Sequence, residues 1–420
     1  MSHELIMNSS TSKLGSYDWV KAKLSVDDDT RLTAPFSWPI VILTVTVAYL
    51  TLVQLLRCRA IRQMERKYAT YMDNPYRLNY KQAREIMQLS LLHDFPFLFG
   101  FGTQWALIKS YGIATGTPLL VKTRQLANPA TAGKRAEDTG VLIGEFLVGD
   151  IDNERGRLAM SKLNWMHRRY KILEGDYVHT LALFVLEPQL WIEKYEWRPM
   201  TYLEKAAQLV YWREIGARMG FGGIPETLEE LAEWKTKYEK KHLYYIEANR
   251  IVTEATLQIF LRQTPKYLHG FVRNLFISFI EEKNVRDALG FPDPPAWATF
   301  LTTNFFRIRG FLIRHFFLPR LHSLDPLPKQ GADSRYHRDP HFILFEPWYV
   351  ADTWYNRLVL WTKSAKPGPE FKSSGYLPEE LGPAGTERAK DSVHKQAEAM
   401  KEYVQRGGAV EVGCPFKFGW

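Results

Sequence analysis

The chain has 420 residues, of which 45% are hydrophobic, and it carries a formal net charge of +9. This apolar content, with 24 Phe, 21 Tyr and 13 Trp, is enough for a substantial core and excludes a largely disordered chain. Acidic and basic residues are interleaved outside one basic cluster, so the charge pattern predicts no nucleic-acid partner. The two cysteines, Cys58 and Cys414, are too few for a fold held together by disulfides.

The first element along the chain is an uncharged apolar run from Pro39 to Leu56. At about 1.5 Å per residue it would form a helix of roughly 27 Å, near the thickness of a bilayer core. It therefore predicts a transmembrane helix over residues 39–56, preceded by an N-terminal segment, residues 1–38. A cleaved signal peptide is disfavoured because the run starts late and no small-residue cleavage site follows it. A buried core helix is the alternative, but such a long uncharged stretch is uncommon in soluble domains.

The flanks of the apolar run differ in charge. Asp27–Asp29 precede it, and a basic cluster opens the juxtamembrane segment, residues 57–78. The cluster consists of Arg57, Arg59, Arg62, Arg66 and Lys67. This asymmetry predicts a single-pass protein with residues 1–38 in the lumen and the rest in the cytosol, held against an anionic lipid bilayer. The sequon at Asn8 would then be lumenal, with its use left open. Cys58 is either a palmitoylation site or a chance juxtamembrane cysteine.

After the juxtamembrane segment the chain reads as helical, with no alternating stretch strong enough to build a sheet. The spacing predicts an all-α catalytic domain over residues 79–362. Its predicted helices are Tyr80–Leu92, His179–Trp191, Met200–Met219, Pro225–His242, Ala248–Arg262, Pro265–Glu282 and Trp297–Phe317.

Local signals refine this outline. Thr201 and Glu204 have the spacing of a capping box, and Gly220 is a suitable stop for the same helix. The segment Pro319–Pro347 is rich in Pro, Arg and His and predicts an irregular excursion. Residues 363–420 form a predicted C-terminal part, with a loop, a surface helix and a tail. The loop is Lys363–Gly385, the surface helix is Glu387–Gln405, and the tail ends in CPFKFGW.

Common catalytic signatures are missing from the sequence. It contains no GxxxxGK[ST] phosphate loop, no HExxH and no GxSxG. Neither cysteine lies in a haem motif of the cytochrome P450 kind. His337 and His341 are four residues apart, but Pro340 lies between them and opposes a helical pair of metal ligands.

Several long blocks of the sequence resemble the fungal ER-bound oxygenases of the MpaB type. They are LIKSYGIATGTPLLVKTRQLANPATAGKRAEDTGVLIGE, LNWMHRRY, DYVHTLALFVLEPQLWIEKYEWR and SRYHRDPHFILFEPWYVADTWYNRL. The similarity extends from about His93 to the CPF near the end, and it includes the N-terminal anchor. The family is named for an enzyme that cleaves the prenyl side chain of a mycophenolic-acid precursor. It is related to the bacterial rubber oxygenases (latex clearing proteins), which are all-helical and hold a b-type haem.

Three positions match the pattern of the wider group. Arg135 and Thr139 form R-x-x-x-T and would share one helix face, and His167 lies in the next helical segment. The resemblance implies that His167 is the proximal iron ligand and that Arg135 and Thr139 line the pocket as catalytic residues, Arg135 also contacting the cofactor. Asp138 departs from the rubber oxygenases, which often have a lysine beside this threonine. Without the resemblance, His167 reads as a surface histidine and the Arg135 pair as a solvated helix face.

Two further residues are weaker candidates. Glu145 lies beyond Thr139 on the same predicted helix and faces either the same pocket or none. His179 lies in an apolar helix, where a hydrogen-bonded core histidine is the more common finding. The role of His93, which precedes Pro96 at a predicted helix end, is left open.

The resemblance implies an ER-membrane protein with an all-α, haem-oxygenase-like domain on the cytosolic face. It would use haem b and O2 to cleave a C=C bond in the prenyl side chain of an apolar, meroterpenoid-type secondary metabolite. Two alternatives remain. One is a non-catalytic, membrane-tethered helical protein that binds lipid or partner enzymes. The other is an oxygenase with a non-haem metal on His167, His337 or His341. The oligomeric state is not predicted.

Overall fold

A computed structural model describes residues 37–343 and 345–407, and within these ranges the predicted all-α class is confirmed. Strand structure in the described part is limited to one short antiparallel pair, β1 (Lys329–Gln330) and β2 (Tyr336–His337). Asn8, Asp27–Asp29 and the CPFKFGW tail lie outside the described residues.

The helices before residue 220 include those that carry the predicted site. They are α1 (Trp38–Arg57), α2 (Arg59–Lys67), α3 (Tyr80–Gln88), α4 (Pro96–Ser110), α5 (Thr117–Thr123), α6 (Pro129–Leu147), α7 (Glu154–His167), α8 (Glu174–Tyr195) and α9 (Tyr202–Met219). A π-helical turn, Leu89–Asp94, extends α3.

The later helices complete the body. They are α10 (Leu228–His242), α11 (Glu247–Leu261), α12 (His269–Ser278), α13 (Lys283–Leu289), α14 (Ala296–Phe316), α15 (Trp354–Val359) and α16 (Lys390–Gln405). Single 3-10 turns occupy Ala69–Tyr71, Pro75–Arg77, Lys266–Leu268, Pro340–Phe342, Pro369–Phe371, Pro378–Glu380 and Glu387–Ala389.

The apolar run forms a helix, α1, as predicted. It is long and apolar enough to cross a bilayer, with a mean hydropathy of 2.1 in a window of which only 6% is buried. The core helix of a soluble protein would bury most of such a window, so the exposure favours a membrane span. The hydroxyls of Thr44 and Thr46 donate to the carbonyls four residues earlier, at 2.8 and 2.7 Å. These bonds satisfy the polar groups within the helix.

The cap signals around α9 are confirmed. The Thr201 hydroxyl accepts from the backbone N–H of Glu204, and the Glu204 carboxylate accepts from the N–H of Thr201 at 2.8 Å. Gly220 ends the helix with φ of +86°, in the left-handed region that glycine adopts without strain.

Several predicted helix bounds are wrong. The helix expected over His179–Trp191 runs from Glu174 to Tyr195. The helix expected from Pro225 begins at Leu228, because Thr227 and Glu230 form a capping box there. The helix expected over Pro265–Glu282 is divided into a 3-10 turn and the shorter α12. Beyond the end of α12, the Arg286 guanidinium donates to the carbonyls of Ile280 and Glu281, each at 2.7 Å.

The core is built around α8, which is buried on most sides and packs closely on α4. The closest approach is at Gly102 of α4. A Cβ added there would lie 2.6 Å from Cα of Pro188, inside α8. Glycine therefore sets the spacing between the two helices.

This packing predicts different outcomes for two glycines of α4. Gly102→Ala places a methyl group against the α8 backbone and should destabilise the fold by about 1–3 kcal/mol. Gly100→Ala is the matched control, because a Cβ there meets no atom within 4 Å. It should be neutral or stabilising by up to about 1 kcal/mol. Thermal unfolding followed by circular dichroism compares the two variants. Equal melting temperatures would contradict this account of the α4–α8 contact.

Candidate functional site

Arg135 and Thr139 lie one turn apart on α6, on a shared face as the spacing predicts. α6 starts at a proline, and the preceding Asn128 side chain accepts from the N–H of Ala130 at 3.0 Å. The Arg135 guanidinium donates to the Thr139 hydroxyl, which itself donates to the Arg135 carbonyl at 2.8 Å. Both side chains are partly buried, so this is not the fully solvated face that the residues alone suggested.

His167 is the last residue of α7, the helix that packs on α6. A helix C-terminus ordinarily favours a protonated histidine. Here burial outweighs that effect, and the positive charge of Arg135 also disfavours protonation. The pKa of His167 is therefore lowered to about 4. The imidazole is therefore neutral at pH 7, the form in which histidine binds metals.

The imidazole of His167 has an unsatisfied atom. Its Nδ1 is buried and has no hydrogen-bond partner within the described part of the chain. The ring packs against Tyr177 in a tilted arrangement, at 5.6 Å between ring centroids, and Tyr177 in turn stacks on Phe221 at 5.2 Å. A buried polar nitrogen without a partner costs about 1–3 kcal/mol. This cost is the kind that binding of a ligand removes.

Arg135 keeps its positive charge without a carboxylate partner among the residues described. Asp138, on the same helix, is the nearby acid, but both of its oxygens are engaged. Lys134 donates to Oδ2 at 2.6 Å and the Tyr349 hydroxyl donates to Oδ1 at 2.6 Å. Burial lowers the pKa of Arg135, while Asp138 and Tyr111 counteract that effect. An anionic group close to Arg135 would be stabilised by this charge.

The two weaker candidates have structural partners instead. Glu145 is buried. Its Oε1 accepts from Nη2 of Arg155 at 2.7 Å and from the Tyr376 hydroxyl at 2.6 Å, and its Oε2 forms an ion pair with Nε of Arg155 at 2.6 Å. His179 is buried, lies 3.0 Å from a carboxylate oxygen of Glu239, and stacks on a tyrosine. Within the described residues, neither Glu145 nor His179 forms a hydrogen bond or ion pair with His167 or Arg135.

The remaining histidines of interest are separated from one another. His337 lies 3.0 Å from an Asp333 oxygen, and His341 lies 3.2 Å from the Tyr355 hydroxyl. His93 bridges the Asp94 carboxylate, at 2.8 Å, and a backbone carbonyl. Across residues 37–343 and 345–407, no three His, Cys, Asp or Glu side chains converge as metal ligands would.

The ER-bound oxygenase mpaB' of Penicillium brevicompactum is 29% identical over 411 residues, which cover 90% of this chain and 95% of that protein. The ER-bound oxygenase mpaB of Penicillium roqueforti is 32% identical over 260 residues, which cover 58% of this chain and 87% of that protein. The chain belongs to the MpaB family of ER-bound oxygenases. An mpaB of Penicillium brevicompactum is 28% identical over 331 residues, covering 74% and 77% of the two chains. No family model matches the sequence.

Membership of the MpaB family decides between two of the earlier alternatives. The relatives are named oxygenases, so the chain is an enzyme of the oxidoreductase class and not a non-catalytic tether. Their description as ER-bound, together with the apolar α1, places this MpaB-type oxygenase at the ER membrane.

Several residues beside the predicted site were not singled out from the sequence. Tyr111 follows α4 and is buried, and its pKa is raised by burial while Thr256 of α11 and Arg135 lower it. Tyr177 and Phe221 form the aromatic contact at His167. Tyr111 and Tyr177 both lie in blocks that resemble the MpaB family. That signal alone does not distinguish a pocket residue from a core residue.

The pairing of Glu145 predicts a loss of stability rather than of chemistry. Glu145→Gln leaves the largely buried Arg155 without its charged partner and should cost about 3 kcal/mol. Glu193→Gln is the control, because its partner Lys205 is near the surface and such pairs contribute up to about 1 kcal/mol. Chemical unfolding gives both values, and activity is measured per folded molecule. A Glu145→Gln protein with native stability and no activity would instead assign Glu145 to the catalytic machinery.

Proposed function

We propose that this MpaB-type oxygenase binds a b-type haem through His167 and uses O2 to cleave a C=C bond in the prenyl side chain of an apolar secondary metabolite. The neutral, unsatisfied imidazole of His167 is the observation that supports the haem most directly. The related rubber oxygenases suggest the same cofactor.

The side chains at the site fit a haem better than a non-haem metal. Because the porphyrin itself supplies most of the ligands to its iron, a haem would need few ligands from the protein, and histidine is a common one. A non-haem metal would need several protein ligands, and His337 and His341 are engaged with Asp333 and Tyr355. Bound haem would supply the O2 chemistry that protein side chains lack.

The chain's own residues would then hold and orient the reactants. Arg135, which has no carboxylate partner in the described residues, would pair with a propionate or another anionic group. The Thr139 hydroxyl already donates to a backbone carbonyl, so it is left as an acceptor toward Arg135 and helps to hold the guanidinium. Tyr177 and Phe221 would exclude water from one side of His167.

The substrate class follows from the family and from the membrane location. A prenylated metabolite partitions into a bilayer, so an enzyme at the ER membrane would meet it at a raised local concentration. Apolar and aromatic side chains line most binding sites for such ligands. Oxidative cleavage of a prenyl C=C bond by O2 breaks the double bond and places one oxygen atom on each of its two carbons, which leaves two carbonyl groups.

We further propose that α1 is the single span and that the catalytic domain faces the cytosol. The basic cluster after α1 supports this orientation. Protease added to sealed microsomes should digest a C-terminal tag and spare an N-terminal one, because only the N-terminal segment would be lumenal. Detergent lysis is the control and should expose both tags. Protection of the C-terminal tag in sealed vesicles would reverse the orientation.

Substitution of His167 tests the proposed cofactor ligand. His167→Ala should lose the Soret band and turnover while helical circular dichroism persists, because no neighbouring side chain would replace the imidazole as a ligand. Arg135→Ala should retain part of the haem, since it removes a charge partner and not the ligand. Turnover is followed as incorporation of ¹⁸O from ¹⁸O2 into the carbonyl product of a prenylated aromatic substrate.

His179→Gln is the matched control, since His179 is also a buried histidine but has Glu239 as its partner. It should keep its haem even if it unfolds more easily. Normal haem content in His167→Ala would move the ligand elsewhere. A wild-type protein that binds haem but forms no labelled carbonyl product would refute the proposed substrate class.

A further inference from the structure

Helix α14 rests on the body through a narrow stripe. Its buried residues are Ala298, Thr302, Phe306 and Gly310, spaced every four residues. At Gly310 a Cβ would lie 2.5 Å from the carbonyl oxygen of Tyr195, so glycine allows the close contact with the end of α8. Most of the circumference of α14 is therefore left outside the core.

The uncovered side of α14 is strongly apolar. Eight large side chains on it are exposed, from 39% for Leu312 to 66% for Phe300. At about 100° per residue they fall within an arc of roughly 160°. They are Trp297, Phe300, Leu301, Phe305, Ile308, Phe311, Leu312 and Phe316. We refer to these eight residues as the α14 face.

The α14 face continues beyond the helix. Phe317, Leu318 and Leu321 follow it and are 59%, 48% and 83% exposed. On the other side, Phe271 of α12 stacks on Trp297 at 5.2 Å. Contiguous apolar patches of this kind on soluble proteins usually mark a surface that another apolar phase covers.

The end of α1 lies against the same helix. The Gln54 side chain donates to the Arg314 carbonyl at 3.3 Å, and the Arg57 guanidinium donates to the carbonyls of Ile313 and Phe317. Arg57 thus neutralises the C-terminal end of α14, where backbone carbonyls lack helical partners. Because Arg57 directly follows the apolar run, this contact joins the end of that run to α14.

The charges around α14 suit the surface of a bilayer. The helix contains no acidic residue, and Arg307 and Arg314 are exposed beside the α14 face. A cavity of about 570 Å³ lies beside α14, and its lining includes Phe305, Leu312 and Arg320. An apolar face bordered by arginines is the pattern of helices that lie in the plane of a membrane interface.

We propose that the α14 face lies in the lipid leaflet that adjoins Arg57 and forms a second, in-plane membrane attachment. The occupant is lipid acyl chain, with the flanking arginines at the depth of the headgroups. The inference rests on membrane association and is independent of the haem. It accounts for an apolar face that begins at the end of the span and that the fold leaves uncovered.

The full-length protein in nanodiscs, at one chain per disc, provides the test. In a Cys58→Ser, Cys414→Ser background, Phe305→Cys and Phe311→Cys carry an environment-sensitive NBD label. Lys237→Cys on α10 is the control, because that side chain is 71% exposed and lies on a charged helix. Labels at 305 and 311 should emit at shorter wavelength than the label at 237. Doxyl lipids should quench them several-fold more than iodide does, whereas iodide should quench the label at 237 more than doxyl lipids do.

Each other outcome overturns the proposal. If the labels at 305 and 311 behave as the control does, the α14 face is in water. If they are shielded from iodide without quenching by doxyl lipids, protein covers the face. Photo-crosslinking of the unmodified chain is an independent test. A diazirine on a lipid acyl chain should label the peptide 297–318 as well as the peptide 38–57. Labelling confined to 38–57 would contradict the attachment even if a cysteine variant misfolds.

Discussion

The buried carboxylate of Asp138 controls the electrostatics of the candidate site. It lies one turn from Arg135 and would be the natural partner of that guanidinium. Lys134 and Tyr349 occupy both of its oxygens, so Arg135 is left beside His167 without an ion pair in the described structure. The lowered pKa of His167 corresponds to roughly 3 kcal/mol in favour of the neutral imidazole. The neutral imidazole of His167 can donate an electron pair to a metal ion, and the guanidinium of Arg135 beside it can pair with a negative charge. Together they form a site suited to an anionic group that carries a metal.

The position of this site explains the roles of the surrounding elements. α6 and α7 supply the functional side chains, and α8 with α4 forms the core behind them. The segments on either side of α15 return to α6. Tyr349, before α15, reaches Asp138, and Tyr376, after it, reaches Glu145. Residues late in the chain thus fix the charge balance of a site built from much earlier ones.

Local sequence signals predicted the features that depend on neighbouring residues. The capping box of Thr201 and Glu204 and the shared face of Arg135 and Thr139 both follow from helical spacing, and the structure has both. α4 was not predicted, because its glycines weaken the helical pattern. Gly102 is explained only by its contact with Pro188. The pairing of Asp138 with Tyr349, 211 residues away in sequence, likewise depends on tertiary structure that one sequence does not specify.

The most direct test of the central claim is the visible absorption spectrum of the detergent-purified, full-length protein, with haem quantified as the pyridine haemochrome. We expect a Soret band and one b-type haem bound per chain. A colourless protein that retains full oxygenase turnover would contradict it.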